Sequence, residues 1–559
     1  MLDPQLGSAN DSPLTPMRFL QRSAEVFPNK NAIVYGGRIY TYAEYSAAAQ
    51  RMARAIRARI NPGDRVIFLA PNIPEMLIAH FAVPLAGGVL VALNSRLAKP
   101  EIDYVIAHSE ASLLFLDAEL VATVGSAYEA SPALKHVVEI PDPEFGLAAS
   151  GLAFGQQSLE SFLAEADRIV PGSYDDRPLR WDVDDEREVI AVNYTSGTTG
   201  KPKGVMYTHR GAYLNSFGEI FHNQFTSASV YLWTLPMFHC NGWCTPWAVT
   251  GAGATHVCLR AVRAEAVWSA IDSLGVTNLC GAPTVCGIIA NAAEAHVVDR
   301  PLSITTAGAP PSPTVIEQLE ALGITVVHVY GLTEVYGPYT ICEHQSEWDE
   351  LPAQERARKL SRQGVGMLQA ESARIVDSDM VDVPADALTM GEIVLRGNNV
   401  MAGYYKEPAA TAEAFRGGWF HTGDLGVMHP DGYIELRDRA KDIIISGGEN
   451  ISTIEVENAI LSHPTVLDVA VVGVPHPTWG ERPKAYVVLR ADLTVTDVDL
   501  IMHTRHLIAG FKVPDSIDFV ETLPRTATGK IMKVALRKMQ EERVSAGDAV
   551  TPEPLPATD

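Results

Sequence analysis

Apolar and polar positions follow two periods along the chain, and together they predict a repeated succession of helices and strands. Small and apolar residues recur at helical spacing over Tyr42–Ala58 and Pro74–Ala86, and the stretch Arg65–Ala70 between them is typical of a buried strand. Further on, Val276–Cys280 and Ile304–Thr306 form two more strand-like runs around an alanine-rich helical segment. This alternation predicts the α/β fold class.

The pattern changes to short strands and turns after Gly391, and the highly charged segment Arg437–Asp442 marks a candidate boundary. Beyond it, Ser452 and Glu455 have the spacing of a capping box and predict a helix that ends near Leu461. We therefore predict a large N-terminal domain of packed α/β subdomains over residues 1–437, a small α+β domain over residues 438–545, and a flexible tail over residues 546–559.

Composition and charge narrow the classes of protein. The 559 residues include 44 Lys and Arg against 67 Asp and Glu, a formal charge of −23, and 47% of them are hydrophobic. The hydrophobic share is that of a folded protein, while the acidic excess disfavours nucleic acid and anionic membranes as partners. No apolar run approaches the roughly 18 to 20 residues of a membrane span. The six cysteines lie in apolar or mixed surroundings, which predicts buried thiols in a reducing compartment. These features predict a cytoplasmic protein with no nucleic-acid or membrane partner.

The sharpest candidate for chemistry is the loop Tyr194–Gly204, YTSGTTGKPKG, which follows the apolar run Val189–Val192. Its hydroxyls, glycines and lysines are the donors that phosphate oxygens require. The spacing differs from a Walker A loop, because only two residues separate Gly197 from Gly200 and a proline follows Lys201. By composition alone such a loop is equally typical of a solvated linker.

Further motifs decide between these two interpretations. Five motifs follow the loop in this order along the chain: YGLTE, which ends at Glu334; GWFHTGD, which ends at Asp424; YIELRDR, which ends at Arg439; SGGENI, which ends at Ile451; and PRTATGK, which ends at Lys530. In this order the motifs resemble those of the AMP-forming adenylating superfamily, which comprises acyl-CoA synthetases, carrier-loading adenylation domains and beetle luciferases. The resemblance implies a large adenylating domain, a small mobile C-terminal domain, ATP and CoA as co-substrates, and Mg²⁺ as cofactor.

The resemblance also implies roles for individual residues. It assigns catalysis to Lys530, His239 and Glu334, and Mg²⁺ binding to Glu334 with Thr195, where a carboxylate supplies the hard oxygen that this ion prefers. The ATP contacts that it implies are Thr195, Ser196, Gly197, Thr198, Thr199, Lys203, Gly308, Ala309, His328, Val329, Tyr330, Gly331, Thr333, Asp424 and Arg439. The ammonium group of Lys530 would neutralise charge as pyrophosphate leaves.

Two half-reactions imply two arrangements of the small domain. The resemblance places the hinge at Lys441 and assigns CoA binding to Gly447, Gly448 and Glu449, where glycines permit close approach of the pantetheine arm.

The segment Pro236–Trp243, PMFHCNGW, bears on the acid. It resembles the FHxNxW segment of short- and medium-chain acyl-CoA synthetases, which include plant acyl-activating enzymes and 3-methylmercaptopropionyl-CoA ligases. The resemblance implies an acyl pocket bordered by His239, Trp243 and Gly308, in which the indole limits the depth. An apolar core segment with one satisfied histidine is the alternative.

The resulting hypothesis is ATP-dependent ligation of a short- or medium-chain carboxylic acid to CoA through an acyl-adenylate, with 3-methylmercaptopropionate as one candidate acid. The expected partners are the acid, ATP and CoA, with a homodimer as the candidate assembly. Two alternatives stay open, namely a stand-alone carrier-loading adenylation enzyme and an inactive binding protein on the same fold. A serine hydrolase is excluded, because the chain contains no Gly-x-Ser-x-Gly segment.

Overall fold

A computed structural model describes most of the chain, namely residues 11–125, 131–148, 157–166, 178–195, 201–309, 311, 313–447, 449–491, 493–526 and 530–545. The described residues form two compact units. The first contains those up to Ser372 together with Leu395–Phe420, and the second contains Ala373–Val394 together with those from His421 onward. The predicted boundary after residue 437 falls inside the second unit and stays a prediction, and the predicted tail lies outside the described residues.

Helices and strands alternate along most of the chain, and the predicted mixed α/β architecture with a large N-terminal and a small C-terminal domain is confirmed. The helices are α1 Met17–Val26, α2 Tyr42–Arg57, α3 Pro74–Leu85, α4 Lys99–Ser109, α5 Val121–Val124, α6 Leu159–Ala166, α7 His209–His222, α8 Thr245–Gly251, α9 Ala264–Leu274, α10 Pro283–Ala290, α11 Pro313–Ala321, α12 Ala353–Leu360, α13 Pro408–Ala414, α14 Thr453–Leu461, α15 Asp497–Arg505 and α16 Lys533–Ser545.

The strands are β1 Asn31–Tyr35, β2 Arg38–Thr41, β3 Arg65–Leu69, β4 Val89–Leu93, β5 Leu113–Asp117, β6 His136–Ile140, β7 Gln157–Ser158, β8 Val189–Tyr194, β9 Gly204–Thr208, β10 Val230–Leu232, β11 Thr255–Val257, β12 Asn278–Gly281, β13 Ser303–Thr306, β14 Thr325–Leu332, β15 Gly337–Ile341, β16 Val365–Gly366, β17 Arg374–Val376, β18 Met390–Leu395, β19 Gly403–Tyr404, β20 Phe420–Met428, β21 Ile434–Arg439, β22 Ile444–Ser446, β23 Glu449–Ile451, β24 Val466–His476, β25 Gly480–Leu489 and β26 Ser516–Phe519.

The first unit is built on two large sheets. One has the order β16-β15-β14-β13-β12-β10-β11-β1-β2, and the other has the order β19-β9-β8-β4-β3-β5-β6-β7. The central strands of both are parallel, and β4 and β5 are buried along their whole length. Continuous apolar strands of this kind are expected where helices cover both faces of a parallel sheet.

The topology places four of the candidate residues of the first unit at one sheet edge. Strands β12, β13 and β14 are parallel neighbours, so the chain leaves all three at the same end. Gly308 and Ala309 follow β13, and Thr333 and Glu334 follow β14. Ligands of open α/β sheets bind beyond the carboxyl ends of the strands, so this edge is where a substrate crevice is expected.

The second unit contains a four-stranded sheet of order β17-β18-β20-β21 and a sheet of order β23-β22-β25-β24, in which β26 pairs with β25. Ser452 caps the N-terminus of helix α14 as predicted, because its hydroxyl accepts the Glu455 N–H at 3.1 Å. The Glu455 carboxylate pairs with Lys512 at 2.8 Å instead of returning to the cap.

The cysteines and the apolar helices can also be compared with the structure. All six cysteines are buried thiols, as predicted. Among the residues that the structure describes, no helix combines the length and the apolar character needed to cross a membrane.

Candidate active site

The predicted phosphate loop leaves and rejoins the sheet through an antiparallel hairpin. Strands β8 and β9 pair up to Tyr194 and Gly204, and beyond them the Thr195 N–H donates to the Lys203 carbonyl at 3.0 Å. The Lys203 N–H in turn donates to the Thr195 hydroxyl at 3.2 Å. Thr195 and Lys203 therefore close the neck of the loop, while the predicted contacts Ser196, Gly197, Thr198 and Thr199 lie outside the described residues.

Tyr404 connects the neck of the loop to the predicted metal ligand. The Lys203 ammonium lies 4.6 Å from the centre of the Tyr404 ring, and the Tyr404 hydroxyl donates to Glu334 Oε1 at 2.9 Å. Burial and the neighbouring charge of Glu334 raise the pKa of Tyr404, so its hydroxyl remains protonated at neutral pH. One tyrosine thus contacts both a cation suited to phosphate and a carboxylate suited to Mg²⁺.

The turn that carries Thr333 and Glu334 is fixed by two stacked tyrosines. The Tyr207 hydroxyl donates to the Thr333 carbonyl at 2.6 Å, and the Tyr207 ring stacks on Tyr336 with centroids 3.9 Å apart. The Tyr336 hydroxyl accepts the Thr208 N–H at 2.7 Å. Because these contacts are buried, the Thr333–Glu334 pair is held in one orientation before any ligand binds.

The remaining predicted ATP contacts of the first unit lie on or just after β13 and β14. Gly308 has φ +95 and is exposed together with Ala309 at the end of β13. His328 is buried, and its ring Nδ1 lies 2.8 Å from the Ser361 carbonyl and 3.0 Å from the Arg362 carbonyl.

Burial lowers the pKa of His328 to about 4. A neutral ring that donates to two carbonyls anchors β14, which also contains the predicted contacts Val329, Tyr330 and Gly331. A Cβ atom at Gly331 would lie 1.8 Å from the Gly337 carbonyl oxygen, so only glycine fits where β14 meets β15.

The predicted acyl-pocket segment has an unusual backbone. His239 has ordinary backbone angles, and the next five residues, Cys240–Cys244, all have φ between +46 and +61. They form a buried left-handed turn. L-residues other than glycine pay roughly 1–2 kcal/mol each in this conformation, so surrounding contacts must hold the turn.

The contacts around the turn bring the predicted pocket residues together with the Thr333 region. The Cys240 sulfur lies 3.8 Å from His239 Nε2 and 3.5 Å from the Thr333 hydroxyl. Trp243 is 4% exposed, and its indole lies against Gly337, where an added Cβ would approach Trp243 Cδ1 to 2.6 Å. His239 and Trp243 therefore lie beside the sheet edge that carries Glu334.

Asp424 and Arg439 are paired in the second unit, as neighbours on the antiparallel strands β20 and β21. Arg439 Nε lies 3.4 Å from Asp424 Oδ1, and the Asp424 side chain is 6% exposed. A carboxylate and a guanidinium held together offer an acceptor for ribose hydroxyls and donors for phosphate.

Other predicted residues of the second unit occupy loops. Burial and the charge of Arg439 lower the pKa of Lys441, and the adjacent Asp442 pairs with Arg537 at 2.7 Å. Gly447 has φ +59, and Glu449 begins β23 and is exposed, whereas Gly448 lies outside the described residues. Lys530 is half-buried, and its N–H donates to the Thr526 hydroxyl at 3.1 Å.

Sequence reasoning missed two residues that contact the candidate site in the first unit. Tyr404 lies 70 positions from Glu334, and Asn193 contacts the left-handed turn from 48 positions away. Neither residue has a neighbouring motif that points to its partner. Each ends or nearly ends a strand, and only the sheet pairing brings it to the site.

Comparison with known proteins finds CoA ligases that are similar to this chain over nearly its whole length. The chain is 42% identical over 540 residues to the peroxisomal trans-cinnamate:CoA ligase of Petunia hybrida, covering 95% of each chain. It is 41% identical over 554 residues to the peroxisomal acetate/butyrate–CoA ligase AAE7 of Arabidopsis thaliana, covering 96% of each. The o-succinylbenzoate CoA synthetase of Bacillus subtilis, solved with ATP and a magnesium ion, superposes with a TM-score of 0.76 at 26% identity, covering 93% of this chain and 98% of that one.

The predicted cytoplasmic location is wrong, because both curated relatives are peroxisomal by name. The prediction relied on buried thiols, an acidic balance and the lack of a long apolar run. None of these features distinguishes the cytoplasm from the interior of an organelle.

Family models cover most of the chain. Residues 20–405 match the model of the AMP-binding enzymes, and residues 455–530 match that of the AMP-binding enzyme C-terminal domain. The first match alone spans well over half of the sequence and contains the loop neck, Glu334 and the left-handed turn. The chain therefore belongs to the AMP-binding enzyme family.

Proposed function

We propose that this protein is an AMP-forming CoA ligase that activates a compact carboxylic acid. The observation that carries the proposal is the contact series from Lys203 through Tyr404 to Glu334, which places a cation and a carboxylate at the neck of the phosphate loop. The family and the CoA ligases among the relatives support the same activity.

The first half-reaction joins the acid to AMP. A carboxylate oxygen of the acid attacks the α-phosphorus of ATP, the bond to the bridging oxygen breaks, and pyrophosphate leaves. Thr195 and Lys203 would donate to phosphate oxygens, Asp424 would accept from the ribose hydroxyls, and Lys530 would neutralise the developing charge.

Magnesium fits the residues present. The Glu334 carboxylate and the Thr195 hydroxyl supply hard oxygen ligands, and no group of three or more His, Cys, Asp or Glu side chains suited to a metal occurs among the described residues. Mg²⁺ commonly binds through one or two carboxylates while phosphate oxygens and water complete its shell. When bound, the ion would neutralise phosphate charge.

The second half-reaction transfers the acyl group to CoA. The CoA sulfur attacks the acyl carbonyl carbon, the thiol proton is lost, and AMP leaves as the thioester forms. We assign the backbone around Gly447–Glu449 to the pantetheine arm and the hinge to Lys441. A glycine suits position 447, because the backbone has φ +59 there and an added Cβ would lie 2.9 Å from Trp479 Cε3.

We propose that Trp243 forms a wall of the acid pocket and thereby limits the class of acid. Its indole is 4% exposed and lies against Gly337, where an added Cβ would approach Trp243 Cδ1 to 2.6 Å. A wall of this kind favours short, branched or flat acids over long fatty chains. Acetate, butyrate, small aryl acids and 3-methylmercaptopropionate satisfy this limit, and the named substrates of the relatives include cinnamate, acetate and butyrate.

A stand-alone carrier-loading enzyme is the second candidate, since it shares the first half-reaction. A panel of carboxylic acids assayed with ATP and Mg²⁺, with and without CoA, separates the two. The ligase produces an acyl-CoA thioester with stoichiometric AMP and pyrophosphate for at least one compact acid. Adenylate formation without any thioester would refute CoA as the acceptor. The homodimer stays a prediction, which sedimentation velocity measures directly.

A further inference from the structure

We propose that Asn193 is a positioning residue for acid selection, because its side-chain amide holds the left-handed turn that places Trp243 against the bound acid. The inference rests on the proposed ligase function. It concerns a residue of β8 that precedes the phosphate loop and is not one of the predicted pocket residues.

Asn193 connects the phosphate loop to the acyl-pocket segment. It is the second-last residue of β8, two positions before Thr195, and it is 1% exposed. Its Oδ1 accepts the N–H of Asn241 at 3.1 Å. Asn241 is the second residue of the left-handed turn, so this bond joins the turn to the strand that leads into the loop.

The bond to Asn193 matters because the hydrogen bonds within the turn do not use the Asn241 N–H. Gly242 N–H donates to the His239 carbonyl at 2.7 Å, and Cys244 N–H donates to the Asn241 carbonyl at 3.2 Å. The Asn241 N–H points instead to β8. A buried N–H without a partner is strongly disfavoured, so the bond to Asn193 satisfies a donor that these two hydrogen bonds of the turn do not use.

The side chain of Asn241 does not contribute to this connection. It is fully buried, and neither its amide oxygen nor its amide nitrogen hydrogen-bonds to any residue in the described parts of the chain. The turn is therefore held through its backbone. Replacing Asn241 by glycine keeps the bond to Asn193 and removes the penalty of φ +46, whereas alanine keeps both the bond and the penalty.

Movement of the turn must move Trp243. The indole packs against Gly337 so closely that an added Cβ would lie 2.6 Å from Cδ1, and Trp233 flanks the preceding glycine, where an added Cβ would lie 3.0 Å from its Cζ3. Since the Trp243 indole is confined by Gly337 and Gly242 is confined by Trp233, the position of the indole depends on the backbone of Cys240–Cys244. Asn193 thereby sets the shape of the acid pocket from outside it.

The test compares Asn193→Ala with the parent enzyme by acid-dependent exchange of labelled pyrophosphate into ATP. We expect the KM for the acid to rise about tenfold, the equivalent of one lost buried hydrogen bond, and the preference among acids to broaden. The KM for ATP should stay close to the parent value, although Asn193 lies two residues from the loop. Equal increases in both KM values would overturn the proposal, because general damage to β8 would affect ATP at least as strongly.

Two double variants provide the matched control. Asn193→Ala with Asn241→Gly should recover most of the acid KM, because glycine adopts the turn without external support. Asn193→Ala with Asn241→Ala should not recover it. Identical behaviour of the two double variants would contradict a role in holding the left-handed backbone.

A measurement independent of activity separates this inference from the proposed function. Hydrogen exchange of the peptide that covers residues 238–244 should be faster in Asn193→Ala than in the parent, with the protein still folded by circular dichroism. Unchanged exchange would overturn the proposal. If the parent exchanges pyrophosphate with no acid, the proposed function fails, and the hydrogen-exchange result still decides whether Asn193 holds the turn.

Discussion

The hydroxyl of Tyr404 offers a sharp test of how Glu334 is oriented. The variant Tyr404→Phe keeps the ring beneath the Lys203 ammonium and removes only the donor to Glu334 Oε1, which lies 2.9 Å away. Tyr404 is 8% exposed, so water does not easily replace the lost donor. Tyr405→Phe is the matched control, because the Tyr405 hydroxyl makes no hydrogen bond to any described residue.

The size of the effect follows from the kind of bond. A hydrogen bond to a charged acceptor contributes about 1.5–3 kcal/mol, and each 1.4 kcal/mol corresponds to a tenfold change in binding. We therefore expect Tyr404→Phe to raise the KM for Mg·ATP by roughly 10- to 100-fold in acid-dependent pyrophosphate exchange, with a matching shift in the Mg²⁺ concentration needed for half-maximal rate. Tyr405→Phe should leave both quantities near the parent values. Indistinguishable Mg·ATP and Mg²⁺ requirements for the two variants would refute the role given to Tyr404.

Three further predictions test other parts of the account. Lys530→Ala should abolish adenylate formation yet still convert supplied acyl-AMP to thioester, and equal loss of both half-reactions would count against that division of roles. Trp243→Ala should shift the preference toward longer or bulkier acids in the folded enzyme, so an unchanged chain-length profile would show that the indole does not limit the pocket. Burial lowers the pKa of His80 from its usual 6.5 to about 4, so the fold favours the neutral ring and loses this stabilisation as the pH falls from 6.5 toward 4. His80→Leu should therefore show a smaller drop in Tm between pH 7 and pH 5 than the parent, and an equal drop would contradict the assignment.

The sequence predicted the regular elements where a local signal is strong. The predicted helices at Tyr42 and Pro74 each end within one residue of the observed ends, and the helix at Ser452 begins at the predicted cap. Periodicity and capping depend on residues close together in the sequence, so the elements that they predict are found in the structure. The strand predicted at Arg65–Ala70 is β3, which spans Arg65–Leu69.

The geometry of the candidate site could be predicted only in part. Ordered motifs indicated Glu334, Asp424 and Lys530, and a glycine-rich loop indicated phosphate. The dipeptide Asn241-Gly242 is compatible with positive φ, but Cys240, Trp243 and Cys244 have no local signal for the left-handed conformation. That conformation depends on partners distant in sequence, chiefly Asn193, and the same is true of the contact between Tyr404 and Glu334.

Exchange of labelled pyrophosphate into ATP in the absence of CoA measures adenylate formation by itself. We expect exchange that requires both Mg²⁺ and a compact carboxylic acid, and that is lost in Lys530→Ala. Exchange that proceeds without any acid, or no exchange with any acid in a panel that spans acetate, butyrate, 3-methylmercaptopropionate and cinnamate, would contradict the proposed adenylation.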